Sequence, residues 1–383
     1  MNPWFKFKRV QMNYNFQDER TDNHKECAMY LVTNREIVGK SDTVDLLGER
    51  PNRKGPNELR ILRARRSGRR WKLELLPDLL TQDEKKTLGL PLDETFYASH
   101  KAAIETIERA RRQKKHILFF VHGFNNDVDS VLTRAAALER RYGLIVVPFS
   151  WPANGGGIKG ITSYRSDKRD AYTSKGALDR TLGIMQDHLT RITGLARDQL
   201  WKEAEKKHPN DGEKRNALYT ALLEKLCPIT INMMAHSMGN YLFKQVMNSS
   251  ASEGSGLLFD NVVLVAADVN NVDHRVWVDR IRARRRVIIT INERDHALAV
   301  SRAKAGDEQL ARLGHSLNDL ESRCAVYINF TGAKAVGTSH AYFEGETVEK
   351  NTRIRTFFRE AFRGVDAERR LTYKASRNVY EFD

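Results

Sequence analysis

A serine, a histidine and an aspartate stand in this chain where together they would make a site for acyl transfer. The serine is Ser237, in Ala235-His-Ser-Met-Gly239. Upstream, Ile229 to Met234 is an apolar, β-branched run of buried-strand type, and downstream Leu242, Val246 and Met247 recur as one helix face. A serine held between a strand and a helix start sits on a sharp turn, beside unpaired backbone N–H groups and the positive end of the helix dipole. Such a place suits a nucleophile, because its attack on a carbonyl leaves an anionic oxygen there. Neighbouring backbone passes close to such a turn, so small residues are needed two places to either side. Ala235 and Gly239 supply them, giving the G-x-S-x-G elbow with alanine at its first place. The plainer reading is a serine capping an ordinary helix.

The serine needs a base, and the base needs an acid to orient it. His340, in Gly337-Thr-Ser-His-Ala-Tyr-Phe343, follows the last strand-like run and is the expected base. His315, in Leu313-Gly-His-Ser, precedes that run and is expected at the strand's opposite end. His122 and His236 flank backbone turns and read as structural rings. For the acid, Asp295 stands just past the strand-like run Val287 to Ile291, and Asp268 just past the one before. Either could equally be a helix N-cap. Asp295 is preferred, since its strand lies nearest the last. The order Ser237, Asp295, His340 is then that of α/β-hydrolases. One oxyanion donor is expected at the N–H of Met238. A second is expected in His122-Gly-Phe-Asn125, where Gly123 lets the chain turn and the N–H of Phe124 or Asn125 can face Ser237. No ligand-spaced His, Cys and Asp cluster is present, so neither a metal nor an organic cofactor is expected.

These residues need a parallel sheet with its carboxyl ends together, and the chain is written for one. Ile117 to Val121, Leu144 to Trp151, Ile229 to Met234, Asn261 to Ala267, Val287 to Ile291 and Ala325 to Phe330 are near-continuous apolar runs separated by helical stretches. Ahead of them, Ala28 to Asn34, Leu59 to Ala64 and Trp71 to Leu76 predict a small antiparallel β section, with a turn at Ser67-Gly68. The spacing predicts helices over Phe96 to Arg111, Val131 to Arg140 and Glu346 to Arg363. Residues 152 to 177 read as a long loop over the carboxyl ends of the strands. Asp179 to about Leu226 reads as a long helical stretch broken at His208-Pro-Asn-Asp-Gly212, with an insertion at about 195–227 lying outside the core. The expected organisation is an arm over residues 1–27, one domain over 28–365, and a tail over 366–383.

With 383 residues, 40% of them hydrophobic and 30% charged, the composition is that of an ordinary globular chain able to bury a large core. No apolar run is long enough for a membrane span, and Met1-Asn-Pro-Trp-Phe-Lys-Phe-Lys-Arg lacks the pattern of a cleaved signal. With three cysteines and no C-x-x-C, a cytoplasmic location is expected. The net charge is +15, and arginines bunch at Arg63 to Arg70 and Arg280 to Arg286. Solvated faces bordering strands account for them most simply. An anionic membrane surface is the other partner to consider, whereas no nucleic-acid-binding motif accompanies them.

Ile117-Leu-Phe-Phe-Val-His-Gly-Phe-Asn-Asn126, Phe149-Ser-Trp-Pro152, Met234-Ala-His-Ser-Met-Gly-Asn240, Ala266-Ala-Asp-Val269 and Asn292-Glu-Arg-Asp-His-Ala-Leu298 resemble, in order, the blocks of a bacterial α/β-hydrolase family. That family is a domain of unknown function, number 900, described as esterase/lipase-like. The resemblance runs over roughly residues 110 to 345, with an echo at Tyr30-Leu-Val-Thr-Asn-Arg35. It implies an α/β-hydrolase fold, a mostly parallel doubly wound sheet with helices on both faces, and the triad Ser237, Asp295 and His340. Members often read Gly-His-Ser near the histidine. Here Ser339-His340-Ala341 departs from that, and Leu313-Gly-His315-Ser mimics it. The activity to expect is cleavage of a small-molecule or lipid carboxylic ester through an acyl-enzyme. The alternatives are acyl transfer or amide hydrolysis by the same triad, or a non-catalytic scaffold binding an anionic membrane or nucleic acid.

Overall fold

The apolar runs become the centre of one sheet in a computed structural model that describes residues 28–153, 164–225, 229–249, 257–302 and 310–382. The expected arm, residues 1–27, lies outside them, as does 154–163 of the expected long loop. The strands in chain order are β1 (Met29–Thr33), β2 (Arg35–Ile37), β3 (Leu47–Pro51), β4 (Arg60–Ser67), β5 (Arg70–Leu75), β6 (His116–Val121), β7 (Leu144–Ser150), β8 (Ile231–His236), β9 (Phe259–Val265), β10 (Ala283–Ile291), β11 (Ala325–Asn329), β12 (Thr372–Lys374) and β13 (Val379–Glu381). Eleven of them form one sheet in the order β12-β13-β11-β10-β9-β8-β6-β7-β1-β4-β5, while β2 and β3 pair separately. Neighbours from β13 to β1 are parallel. The strands outside them are antiparallel.

The helices used below are α1 (Ala98–Gln113), α2 (Val128–Tyr142), α3 (Tyr164–Thr173), α4 (Lys175–Lys207), α5 (Gly212–Lys225), α6 (Gly239–Met247), α7 (His296–Arg302), α8 (Gly345–Lys350) and α9 (Thr352–Ala361). They cover both faces of the sheet. On β6, Leu118 and Phe120 point to one face, with Val131, Leu132 and Ala135 of α2 and Phe357 and Phe358 of α9. Ile117, Phe119 and Val121 point to the other, with Leu242, Phe243 and Val246 of α6 and Leu178 of α4. This double burial is why the strands read as continuous apolar runs rather than alternating ones. The chain passes from β6 to β7 on one side, then crosses from β7 to β8 on the other side of β6. The reversal opens a crevice at the carboxyl ends of β6 and β8, the general binding place in such sheets.

Several expectations need correction. The early section is antiparallel through β1, β4 and β5 as expected, and it joins the main sheet where β1 pairs with β7 through Val32–Phe149 and Thr33–Ser150. The stretch 152–177 is not simply a loop, since α3 and the start of α4 lie within it. The closing helix is two helices, α8 and α9, divided at Asn351, whose side chain accepts the N–H groups of Arg353 and Ile354 as an N-cap. The residues read as a tail form β12 and β13, and β13 joins β11 at Ile328–Tyr380. As expected, the helical stretch breaks at 208–211 into α4 and α5, and beyond His188 the described side chains of α4 are mostly exposed. The arginine clusters lie largely within strands β4, β5 and β10 and not merely beside them, with Arg63 paired to Glu74 and Glu105, and Arg286 to Asp366 and Glu368. Among the described residues, no helix is long and apolar enough to cross a membrane.

Candidate active site

Ser237 sits between β8 and α6 with φ +54°, a left-handed conformation that costs a non-glycine residue about 1–2 kcal/mol. The surroundings hold it there. Its N–H donates to Val265 O at 3.0 Å, and its carbonyl accepts the N–H of Asn240 at 3.0 Å. The Asn240 side-chain amide donates to the carbonyls of Ala235, Ser237 and Val265 at 3.0–3.2 Å, binding the turn to β9. The small residues of the elbow are explained directly. A Cβ on Gly239 would lie 2.7 Å from the carbonyl oxygens of both Val121 and His122. A Cβ on Gly123 would lie 2.7 Å from Ser237 Cβ and 3.2 Å from its Oγ, so the loop after β6 passes against the serine.

Asp295 and His340 arrive on loops beyond β10 and β11 and meet at 2.7 Å, Oδ2 to Nδ1. The carboxylate is fully buried, and its other oxygen accepts the N–H of Leu298 at 3.1 Å. Asp295 therefore caps α7 with one carboxylate oxygen and holds the His340 imidazole with the other. The Asn292 amide donates to the carbonyls of Gly337 and Ser339, both at 3.1 Å, and fixes the loop that carries His340. His236 Nε2 donates to His340 O at 3.2 Å. Burial first, then the neighbouring His340, holds the His236 ring well below the usual histidine range, hence neutral. Among the described residues the Ser237 hydroxyl makes no hydrogen bond. A nucleophile–base link commonly tightens only when substrate is bound.

The rivals fall differently. Asp268 is engaged in a buried cluster: Ser301 Oγ donates to Oδ1 at 2.6 Å, Tyr164 Oη donates to Oδ2 at 3.0 Å, and the Arg312 guanidinium lies 3.3 Å away. His315 is not at the opposite end of the sheet. The N–H of Gly314 donates to Ala267 O at 3.0 Å and its carbonyl accepts the N–H of Asn292 at 3.0 Å, so this segment crosses the carboxyl ends of β9 and β10. The chain approaching β11 runs back over the sheet before entering it, which strand order alone does not reveal. There burial lowers the His315 imidazole pKa, and the Asp295 carboxylate offsets part of that fall.

The loop after β6 is tightly held. Asn125 has φ +57°, and the Asn126 amide donates to Phe124 O at 2.7 Å and to Gly123 O at 3.2 Å. Arg134 of α2 donates to Asn126 Oδ1 at 2.9 Å and pairs with Glu344 at 2.8 Å, joining this loop to the one carrying His340. Arg35 is buried beneath, donating to Ser150 Oγ at 3.0 Å, Trp151 O at 2.9 Å and Asn126 O at 3.2 Å. Burial lowers its guanidinium pKa to about 10. The His122 ring stacks on Trp151 at 5.2 Å, with Nδ1 donating to Gly123 O and Nε2 accepting the Trp151 N–H. Among the described residues the Met238 N–H has no hydrogen-bond acceptor. Asn240 and Asn292 carry a readable signal, being amides next to apolar strands. Arg134 and Tyr164 carry none, because their partners are distant in sequence.

A family described as an alpha/beta hydrolase of unknown function (DUF900) matches residues 98–197 and 210–338, more than half of the chain. The chain belongs to this family. No curated protein and no solved structure matches it. The family's region takes in β6 to β11, with Ser237 and Asp295, and ends just short of His340. Its one break, 198–209, falls at the exposed outer end of α4.

Proposed function

We propose that this α/β hydrolase is a serine hydrolase that cleaves a carboxylic ester through an acyl-enzyme. The observation that carries the reading is the 2.7 Å Asp295–His340 pair, delivered to the same end of the sheet as a serine on a left-handed turn. In this reading Ser237 Oγ attacks the ester carbonyl carbon while His340 Nε2 takes its proton. Asp295, bonded to Nδ1, fixes the tautomer that leaves Nε2 able to accept. The carbonyl oxygen becomes anionic, and the N–H groups of Met238 and Phe124 receive it. His340 then gives its proton to the departing alkoxide, and water attacks the acyl-serine by the same route. His236 supports the base by holding the His340 carbonyl with a ring that stays neutral.

The test is labelling with a fluorophosphonate probe, comparing wild type with Ser237→Ala, His340→Ala and His315→Ala. Loss of labelling in the first two and its retention in the third supports the assignment. Loss in His315→Ala with retention in His340→Ala moves the base to His315. No labelling of folded wild type refutes an activated serine.

A further inference from the structure

The three residues of the proposed triad arrive on three separate segments, and one buried hydroxyl joins those segments. Ser237 is clasped by the turn that ends β9: its N–H donates to Val265 O at 3.0 Å, and its carbonyl accepts the N–H of Asp268 at 3.3 Å. Between those two partners lies Ala266 at φ +45°, a second left-handed non-glycine residue beside the first. Its N–H donates to Tyr342 Oη at 3.3 Å. The same oxygen meets Thr290 Oγ1 at 2.7 Å, on the strand that leads into Asp295. Tyr342 itself stands two residues after His340.

Tyr342 is fully buried, with its ring stacked on Phe330 at 5.1 Å. Burial raises the phenol pKa, and the Asp295 carboxylate raises it further. The hydroxyl therefore keeps its proton and stays both donor and acceptor. It is the acceptor for the buried Ala266 N–H among the described residues. Removing it leaves that N–H unpaired, in a turn already held in an unfavourable conformation.

We infer that Tyr342 is a positioning residue: its hydroxyl sets the working separation of Ser237 and His340 by tying the turn that clasps the serine to the loop that carries the base. This deepens the hydrolase reading and rests on it. A shift at Ala266 passes to Ser237 through Val265 O and the Asp268 N–H, and a shift at Tyr342 passes along the chain to His340. Reacting groups must be held within a fraction of an ångström by neighbours that are themselves locked, and this hydroxyl is such a lock.

The test is Tyr342→Phe, which keeps the ring and removes only the hydroxyl. Fluorophosphonate labelling should slow by about 10–100-fold, and with phenyl acetate as substrate kcat should fall with little change in KM. Tyr327→Phe is the comparison. Its hydroxyl is also buried, engaging His274 and accepting the N–H of Ser322 at 2.9 Å, but its partners are not on the segments that carry the triad. Slower labelling in Tyr342→Phe that Tyr327→Phe does not share supports the inference. Unchanged labelling in folded Tyr342→Phe, or equal falls in both variants, overturns it. Labelling of wild type but not of Ser237→Ala would at the same time leave the hydrolase reading standing. Thr290→Val removes the partner on β10 and should slow labelling likewise, and it decides alone if Tyr342→Phe does not fold. Should wild type not label at all, the NMR resonance of the His340 Nδ1 proton decides, assigned by its loss in His340→Ala. A resonance shifted or broadened in Tyr342→Phe and not in Tyr327→Phe supports the positioning role. An unmoved resonance, or none in wild type, overturns it.

Discussion

Arg134 and Glu344 form a forked ion pair: Nε lies 2.9 and 3.2 Å from the two carboxylate oxygens, and Nη2 lies 2.8 Å from Oε1. The remaining nitrogen of the same guanidinium holds Asn126 in the loop beside Ser237. One side chain thus sets the separation between the loop proposed to hold the oxyanion and the loop that carries the proposed base. Lysine cannot serve both partners in a fixed plane. Arg134→Lys should therefore lower kcat by about 10–100-fold with little change in KM, the cost of slight misplacement of reacting groups. Glu344→Gln should behave alike, and the double variant should be little worse than either single one. Fully additive losses in steady-state kinetics would show that the two residues do not act through each other.

Asp295 does two things that substitution can separate. Asparagine also caps a helix well, so Asp295→Asn should keep α7 and shift the melting temperature little. Its amide cannot hold the imidazole in the same tautomer with the same charge, and kcat should fall by about three to four orders of magnitude. Thermal unfolding together with ester kinetics checks both halves. A large drop in melting temperature would mean that the carboxylate matters chiefly to the fold.

Gly239 is required by backbone and not by a movable side chain. An added Cβ would meet the carbonyl oxygens of Val121 and His122 at 2.7 Å. Gly239→Ala should destabilise the protein by about 1–3 kcal/mol, the usual cost of forcing a methyl into a packed site, and displace Ser237 as well. Urea unfolding gives the first quantity and fluorophosphonate labelling rate the second.

Buried histidines make stability depend on pH. An unfolded histidine titrates near 6.5. In the folded protein burial, helped by the nearby Arg35 charge, holds His122 down at about 3. Between these values the unfolded chain binds a proton that the folded chain refuses. The stability is therefore complete above about pH 6.5 and is lost as the pH falls, by about 2 kcal/mol from this ring alone at pH 5. His236 is shifted in the same direction and adds to the loss. Urea midpoints at pH 7 and pH 5 should diverge more in wild type than in His122→Asn. Equal falls would show that the His122 ring is not held neutral.

Much of the framework was legible because local pattern and global role coincide. β6 to β11 are buried on both faces, and only long apolar runs satisfy that. The elbow was legible because backbone crowding at Gly123 and Gly239 restricts residue type whatever the rest of the chain does. What stayed hidden depends on contacts distant in sequence. Strand order puts His315 at the wrong end because the segment around Gly314, ahead of β11, lies over the carboxyl ends of β9 and β10, held by Gly314 against Ala267. The tail reads as irregular because β12 and β13 are three-residue strands, too short to show a period. Asp268, the rival to the preferred Asp295, is engaged by Tyr164, Ser301 and Arg312, partners that its place after a strand does not reveal.

The left-handed turn at Ser237 has a consequence for how such a chain can change over generations. Glycine enters that conformation without strain, so Ser237→Gly would relax the backbone at the very position where the proposed chemistry begins. Folding therefore sets no barrier against losing the proposed nucleophile. Lineages freed from selection for turnover could shed it and keep a sound scaffold, whereas Gly239 would still be demanded by the carbonyl oxygens of Val121 and His122. Among descendants of this fold, the glycine after the turn would mark ancestry, and only the serine before it would mark the proposed use.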